Sequence, residues 1–312
     1  MKIRIAIALG IVYLIWGSTY LAIRFAVDTI PPFIMVGWRF LIAGILLYSW
    51  RIVVKDRPPT RVEWRSAAIV GVFLIVGGTG LLAWAEQSID SGIAAILVGT
   101  SPIWMVLIDL FRPGGQKLTW ITISGVLLGF IGIIILIDPV SLLDNSRSQE
   151  LTAVLFLLLA AFSWSIGSIY NRDAQLPDSS LLGTGMEMIV GGAVCLLIGI
   201  VFGEWQGFEV AAITPQSIAG FVYLIIFGSL VAFVAYTWLL RVAPTPLVST
   251  YAYVNPLVAI FLGSMLAGEQ ITTRILISTF VIVSAVALII SQRESKPETI
   301  SHFEPTQIRG DD

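Results

Sequence analysis

Histidine and cysteine are almost missing from this sequence. One of each, His302 and Cys195, occurs in 312 residues, so a disulfide framework is excluded and no His/Cys set is present to hold a metal. No metal and no cofactor is expected. Charge is scarce as well, at 12% of residues against about 25% in soluble domains. The formal net charge of −2 and the scattered Lys and Arg offer no basic surface, which removes nucleic acid as a partner. No GxxxxGK[ST] phosphate loop occurs, so nucleotide-driven transport is excluded. The apolar stretches lack histidine and paired aspartates, which takes away most hydrolytic chemistry and leaves an intramembrane enzyme the weakest alternative.

What is abundant is apolar: 57% of residues are hydrophobic and the mean hydropathy is +0.91. The lipid bilayer is the expected solvent. A span needs about 20 apolar residues, and such runs fall at 5–26, 33–54, 67–86, 91–110, 119–138, 150–170, 181–203, 216–239, 245–267 and 271–291. The first run shows no small-residue cleavage pattern and reads as a retained span. Cys195, within an apolar run, reads as inert packing. Residues 292–312 are polar and aperiodic and read as a disordered cytoplasmic tail carrying His302. Of the 18 Lys and Arg, 14 fall on one side of these spans and two, Arg147 and Arg274, on the other, with Arg24 and Arg39 inside spans. The positive side is cytoplasmic and holds both termini.

Residues about 150 apart keep matching. Trp16 and Arg24 recur as Trp164 and Arg172, and Gly37 and Gly44 as Gly185 and Gly192, all 148 apart; Trp84 meets Trp238 and Pro102 meets Pro256, 154 apart. The sequence predicts an all-α polytopic membrane protein of ten transmembrane helices. It would be built as two inverted five-helix repeats, 5–138 and 150–291, because an odd number of spans turns the second repeat over. Inverted repeats are the architecture of secondary transporters.

Pro102 and Pro256, near the middle of the fourth span of each repeat, predict helix breaks that free backbone carbonyls near the midplane. Beside them Thr100, Ser101, Tyr251, Tyr253 and Asn255 offer hydroxyl and amide groups, either to a substrate or simply to cap the kinks. Trp16, with Tyr20 one turn on and the same face, and Trp164 are expected to wall a cavity. Trp84 and Trp238, near span ends, fit an interfacial belt equally well. Arg39, as a substrate contact, and Glu187, as a proton-coupling group, stand at equivalent repeat positions. Each is about 9 Å deep from opposite faces, roughly 12 Å apart in depth, too far for an ion pair, with snorkelling as the alternative. Arg24, with Asp28 one turn on, reads as an interfacial charge. The small-residue pattern Gly125 to Gly129 serves either packing within the monomer or a homodimer.

The runs "IVYLIWGSTYLAIRFAVDTIPP", "GWRFLIAGILL", "WAEQSIDSGIAAILVGTSPIWM" and "STYAYVNPLVAIFLGSMLAGEQIT" resemble EamA-type members of the drug/metabolite transporter superfamily, and within it the YedA-like exporter group. The resemblance covers nearly the whole chain. It implies a ten-helix fold with a cavity between its halves, working as an exporter or permease of metabolites, with amino acids, purines and toxic compounds among family substrates. It also matches Glu269, after Gly268, to a family acidic residue, which Gln116 replaces in the first repeat. The expected function is a secondary transporter that exports small molecules such as amino acids or drug-like compounds across the inner membrane by alternating access. A carrier of nucleotide-sugar or lipid-linked substrates would share the topology.

Overall fold

The computed structural model describes residues 2–111, 119–137, 148–206 and 208–294. Among them the chain is helical and forms no strand. Ten helical segments follow in order: α1 (Lys2–Ala26), α2 (Pro32–Val53), α3 (Arg61–Ala85), α4 (Ser91–Val98 with Ser101–Leu110), α5 (Trp120–Ile137), α6 (Ser148–Asp173), α7 (Ser180–Val201), α8 (Pro215–Val242), α9 (Thr245–Val248 with Tyr251–Ala267) and α10 (Thr273–Glu294). Nine are long and apolar enough to cross a membrane; the longer piece of α9 has 17 residues.

The sequence chemistry of the ends sets most boundaries. Pro32, with no N–H to leave unsatisfied, opens α2. Thr60 and Glu63 form a reciprocal capping box, so α3 starts at Arg61, six residues before the apolar run at 67. Gly268 takes the left-handed conformation, φ +69°, that closes α9. Gln292, Arg293 and Glu294 favour helix and carry α10 past the expected end at 291. The rest of the expected tail, with His302, lies outside the described residues, as does Gln116.

Several helix pairs pack through glycine. The most extensive contact joins α2 to α7 at the four glycines that the 148-residue spacing had matched. A Cβ on Gly44 would sit 2.8 Å from the Gly185 carbonyl, and one on Gly192 2.7 Å from the Leu41 amide and 2.8 Å from the Gly37 carbonyl. The backbones meet because no side chain intervenes. Gly125, Gly129 and Gly132 of α5 likewise receive Ile289, Ile103 and Ile282. The small-residue face of α5 is thus filled from within the chain, by α10 and α4. Leu127, Ile131, Leu155, Leu197, Phe261 and Phe280 point outward and are exposed, as a surface solvated by lipid requires.

Three helices change their winding on the way across. α1 is π-helical over Val12–Trp16, α3 over Val72–Gly80 and α8 over Leu224–Phe233. α4 is interrupted at Gly99 and Thr100, directly ahead of the Ser101–Pro102 start of its second piece. α9 is interrupted at Ser249 and Thr250, and Pro256 is accommodated inside the helix beyond. The second break therefore precedes its proline by a turn and a half. There the Ala252 and Tyr253 amides donate three residues back, to Ser249 and Thr250, tightening the turn that starts the new helix.

Candidate functional site

The π-helical turns and the α4 and α9 breaks converge on one central cavity of about 550 Å³. Its walls are Trp16, Thr19, Tyr20 and Ile23 from α1, Arg39 and Phe40 from α2, Gly78, Thr79 and Leu82 from α3, and Val98 from α4. Ala160 and Trp164 from α6, Phe233 from α8, and Tyr251 and Asn255 from α9 complete it. Both halves of the chain contribute, and nearly every wall residue is buried. Trp16 lies at the end of the α1 π-turn, Gly78 and Thr79 inside that of α3, Phe233 at the end of that of α8. A helix that widens there turns out side chains that a regular helix would direct elsewhere, a common device at functional sites.

One end of the cavity is an aromatic cluster. Trp16 meets Trp164 edge-on at 5.3 Å between ring centroids, Tyr236 at 4.7 Å and Tyr251 at 5.6 Å. The Trp164 indole N–H donates to the Tyr236 hydroxyl at 3.1 Å, and that hydroxyl shares a 2.6 Å hydrogen bond with Ser168. Locked rings of this kind form flat walls that lose little freedom when a ligand lies against them.

The cavity's polar groups are few and incompletely partnered. Arg39 is 3% exposed; its Nε donates to Ser229 at 2.9 Å, and its guanidinium lies 4.6 Å from the Phe40 ring centre. One terminal nitrogen of Arg39 has no acceptor, and the Asn255 side-chain oxygen has no donor. Buried polar atoms cost about 1–3 kcal/mol when left unpaired, so a donor and an acceptor waiting in one cavity can take opposite ends of a small polar ligand. Glu187 lies elsewhere on α7, fully buried, where its carboxylate accepts 2.9 Å from the Asn171 amide. It does not ion-pair with Arg39, and neither residue snorkels to a surface.

Of the expected contact residues, Trp16, Tyr20, Arg39, Trp164, Tyr251 and Asn255 come together here. Thr100 and Ser101 do not line the cavity; their hydroxyls donate at 2.6 Å to Leu97 and Val98, capping the α4 break. Tyr253 turns to α10 and donates to the Val286 carbonyl at 3.2 Å. Trp84 packs outside, edge-on to Phe156 at 4.6 Å. Arg24 donates to the backbone carbonyl of Glu86, and among the described residues it makes no ion pair with Asp28. Tyr236, Phe233 and Thr79 were missed. The 154-residue match was the available signal, since it pairs Thr79 with Phe233 and Leu82 with Tyr236. Glu86, at the end of α3, was read as the close of a span.

Comparison with known proteins agrees with this architecture. The model of the "EamA-like transporter family" matches residues 4–138 and again 151–291. The chain is 37% identical over 287 residues to "Uncharacterized inner membrane transporter YedA" of Escherichia coli (strain K12), covering 90% of this chain and 89% of that one. It is 26% identical over 282 residues to "Uncharacterized transporter YoaV" of Bacillus subtilis (strain 168), covering 89% and 94%. A solved structure described only as "Crystal structure of protein" superposes with a TM-score of 0.64 at 16% identity, over 93% of this chain and 98% of that one; it supports the fold alone.

Proposed function

The chain belongs to the EamA-like transporter family, is a multi-pass inner-membrane transporter and not an enzyme, and we propose that it exports small metabolites, such as amino acids or drug-like compounds, by alternating access. The observation that carries this reading is the buried aromatic cavity built from both halves, in which Arg39 and Asn255 keep unsatisfied polar atoms.

Two matches of one family model within the chain support the reading of residues 5–138 and 150–291 as two inverted repeats. The imbalance of 14 against two Lys and Arg between the faces supports cytoplasmic termini. Trp16, Tyr20, Arg39, Trp164, Tyr251 and Asn255 are the proposed substrate contacts. Thr100, Ser101, Pro102 and Pro256 shape the helices behind them, and Tyr253 ties α9 to α10. Glu187, buried on α7, is a proposed proton-coupling group. With the α5 glycines filled from within, a monomer is the proposed transport unit.

Counterflow in proteoliposomes tests the reading. Vesicles preloaded with unlabelled amino acids, purines or lipophilic cations should accumulate the labelled solute of one class, and Asn255→Ala should lower that rate about tenfold while inserting normally. Equal counterflow in wild type and Asn255→Ala would remove this residue from the path. No counterflow of any class by folded protein would remove the small-metabolite reading.

A further inference from the structure

Among the described residues, Glu86 alone buries both carboxylate oxygens without a hydrogen-bond partner. It follows the last residue of α3, one turn beyond Leu82 of the cavity wall. The groups that could pair with it are otherwise engaged. Arg24 donates to the Glu86 main-chain carbonyl rather than to its carboxylate. Glu269 caps the start of α4, accepting from the Ser91 amide at 2.9 Å, the Ser91 hydroxyl at 2.7 Å and the Gly92 amide at 3.1 Å. The remaining ionisable groups facing this corner are Tyr20 on α1, Asp90 before α4, Glu150 on α6 and Arg274 on α10. Two of these are acids, and Tyr20 lies on the cavity.

An ionised carboxylate stripped of water and of every donor, with other acids nearby, is strongly disfavoured. A neutral acid is not. Glu86 itself lines no cavity, but Arg24, bonded to its main chain, and Ser88, two residues on, line a wide vestibule of about 1430 Å³ whose rim also carries Asp90, Glu150, Glu269 and Arg274. One turn back along α3, Leu82 lines the central cavity, as does Tyr20. We propose that Glu86 is a proton-binding site at the vestibule end of the cavity, loaded in this conformation and emptied when the vestibule opens onto it. On emptying, the carboxyl O–H bond breaks, the electron pair stays on the carboxylate and the proton passes to vestibule water. The Arg24 guanidinium, already at the Glu86 main chain, then balances the new charge.

This site is distinct from Glu187. The Glu187 carbonyl packs against Gly71 of α3 so closely that no Cβ would fit there. Gly71 and Glu86 are 15 residues apart, roughly 20 Å along the helix. Gly78, Thr79 and Leu82 of the cavity wall fall between them. The cavity is therefore flanked along α3 by two buried acids, and Glu86 is the one beside the charged vestibule.

The use of this proton rests on the transport reading, but its presence does not, so the test has two arms on full-length reconstituted protein. Infrared spectra at neutral pH should show a protonated-carboxyl carbonyl band that weakens in Glu86→Gln and returns, shifted in frequency, in Glu86→Asp. A band identical in wild type and both variants would overturn the proposal whether or not any solute is transported. If Glu86→Gln does not fold, the band shift in Glu86→Asp decides alone. The second arm follows labelled phenylalanine, chosen for the aromatic walls. A gradient of one pH unit should speed wild-type efflux by up to about tenfold, while Glu86→Gln keeps counterflow and loses that acceleration. Unchanged acceleration in Glu86→Gln would overturn the coupling role. If phenylalanine is not moved at all, the infrared arm alone decides whether the proton is there.

Discussion

Trp16 touches the three other rings of its cluster, Trp164, Tyr236 and Tyr251, and organises the aromatic end of the cavity. Truncating it to alanine removes a buried side chain and three ring contacts, so Trp16→Ala should lower unfolding stability by about 3–5 kcal/mol, read as a fall in thermal midpoint in detergent, and abolish transport. Tyr236→Phe is the finer probe. Ser168 keeps its bond to the Trp164 carbonyl at 2.7 Å, but the Trp164 indole N–H loses its acceptor. A loss of about 1 kcal/mol, with weakened substrate binding, is the expected result. An unchanged midpoint would mean that water replaces the hydroxyl. Trp16 was legible because a tryptophan in mid-span, matched 148 residues later, has few other uses. Tyr236 was not legible because the π-helical stretch before it shifts the helical phase, so a 3.6-residue period misplaces the face it presents.

The α2/α7 pair shows what an element contributes. It is packed through glycines at its centre and tied at both ends by carboxylates 148 residues apart. Glu204 accepts from the Phe33 and Ile34 amides at 3.2 and 2.9 Å at the start of α2, and Asp56 bonds Ser179, the N-cap of α7, as well as Arg51. Negative charge at helix N-termini favours both. Gly192→Ala forces a methyl into backbone and should destabilise by about 1–3 kcal/mol, measurable as a lowered thermal midpoint. The two caps differ in burial, and so should their pH response. Burial pushes the Glu204 carboxyl up against the opposing pull of the Ile34 and Phe33 amides. Its contribution is fully present below the ordinary carboxylate range and is lost as pH rises through the raised value. The Arg51 and Ser179 bonds hold Asp56 below its ordinary range, so its contribution is present above that range and lost as pH falls through the depressed value. Midpoints against pH, taken as wild type minus Glu204→Gln and wild type minus Asp56→Asn, should slope in opposite directions; slopes of one sign would contradict this assignment. The glycines of this pair were readable from spacing alone. The α9 break was not, because Pro256 drew attention while the interruption fell at Ser249 and Thr250, where no residue type announces it.

At the scale of the whole molecule, composition and hydropathy were enough to place the chain in a membrane and to locate its spans to within a few residues at most ends. They could not show which polar side chains turn inward together, since that depends on packing between helices far apart in sequence. Arg39 of α2 meets Ser229 of α8, and Trp16 of α1 meets Trp164 of α6. In the proposed transport cycle, the cavity assembled from both halves and closed by buried side chains is opened in turn to each face. Cys195, the one cysteine, is fully buried, so a second cysteine introduced on the cavity wall, as in Thr79→Cys, can be followed on a quiet background. The decisive measurement is its labelling by a membrane-impermeant maleimide applied to one face or the other of oriented vesicles, with the pH gradient set in each direction. The account predicts labelling from either face, with the favoured face exchanging when the gradient is reversed. Labelling from one face alone under every gradient would contradict it.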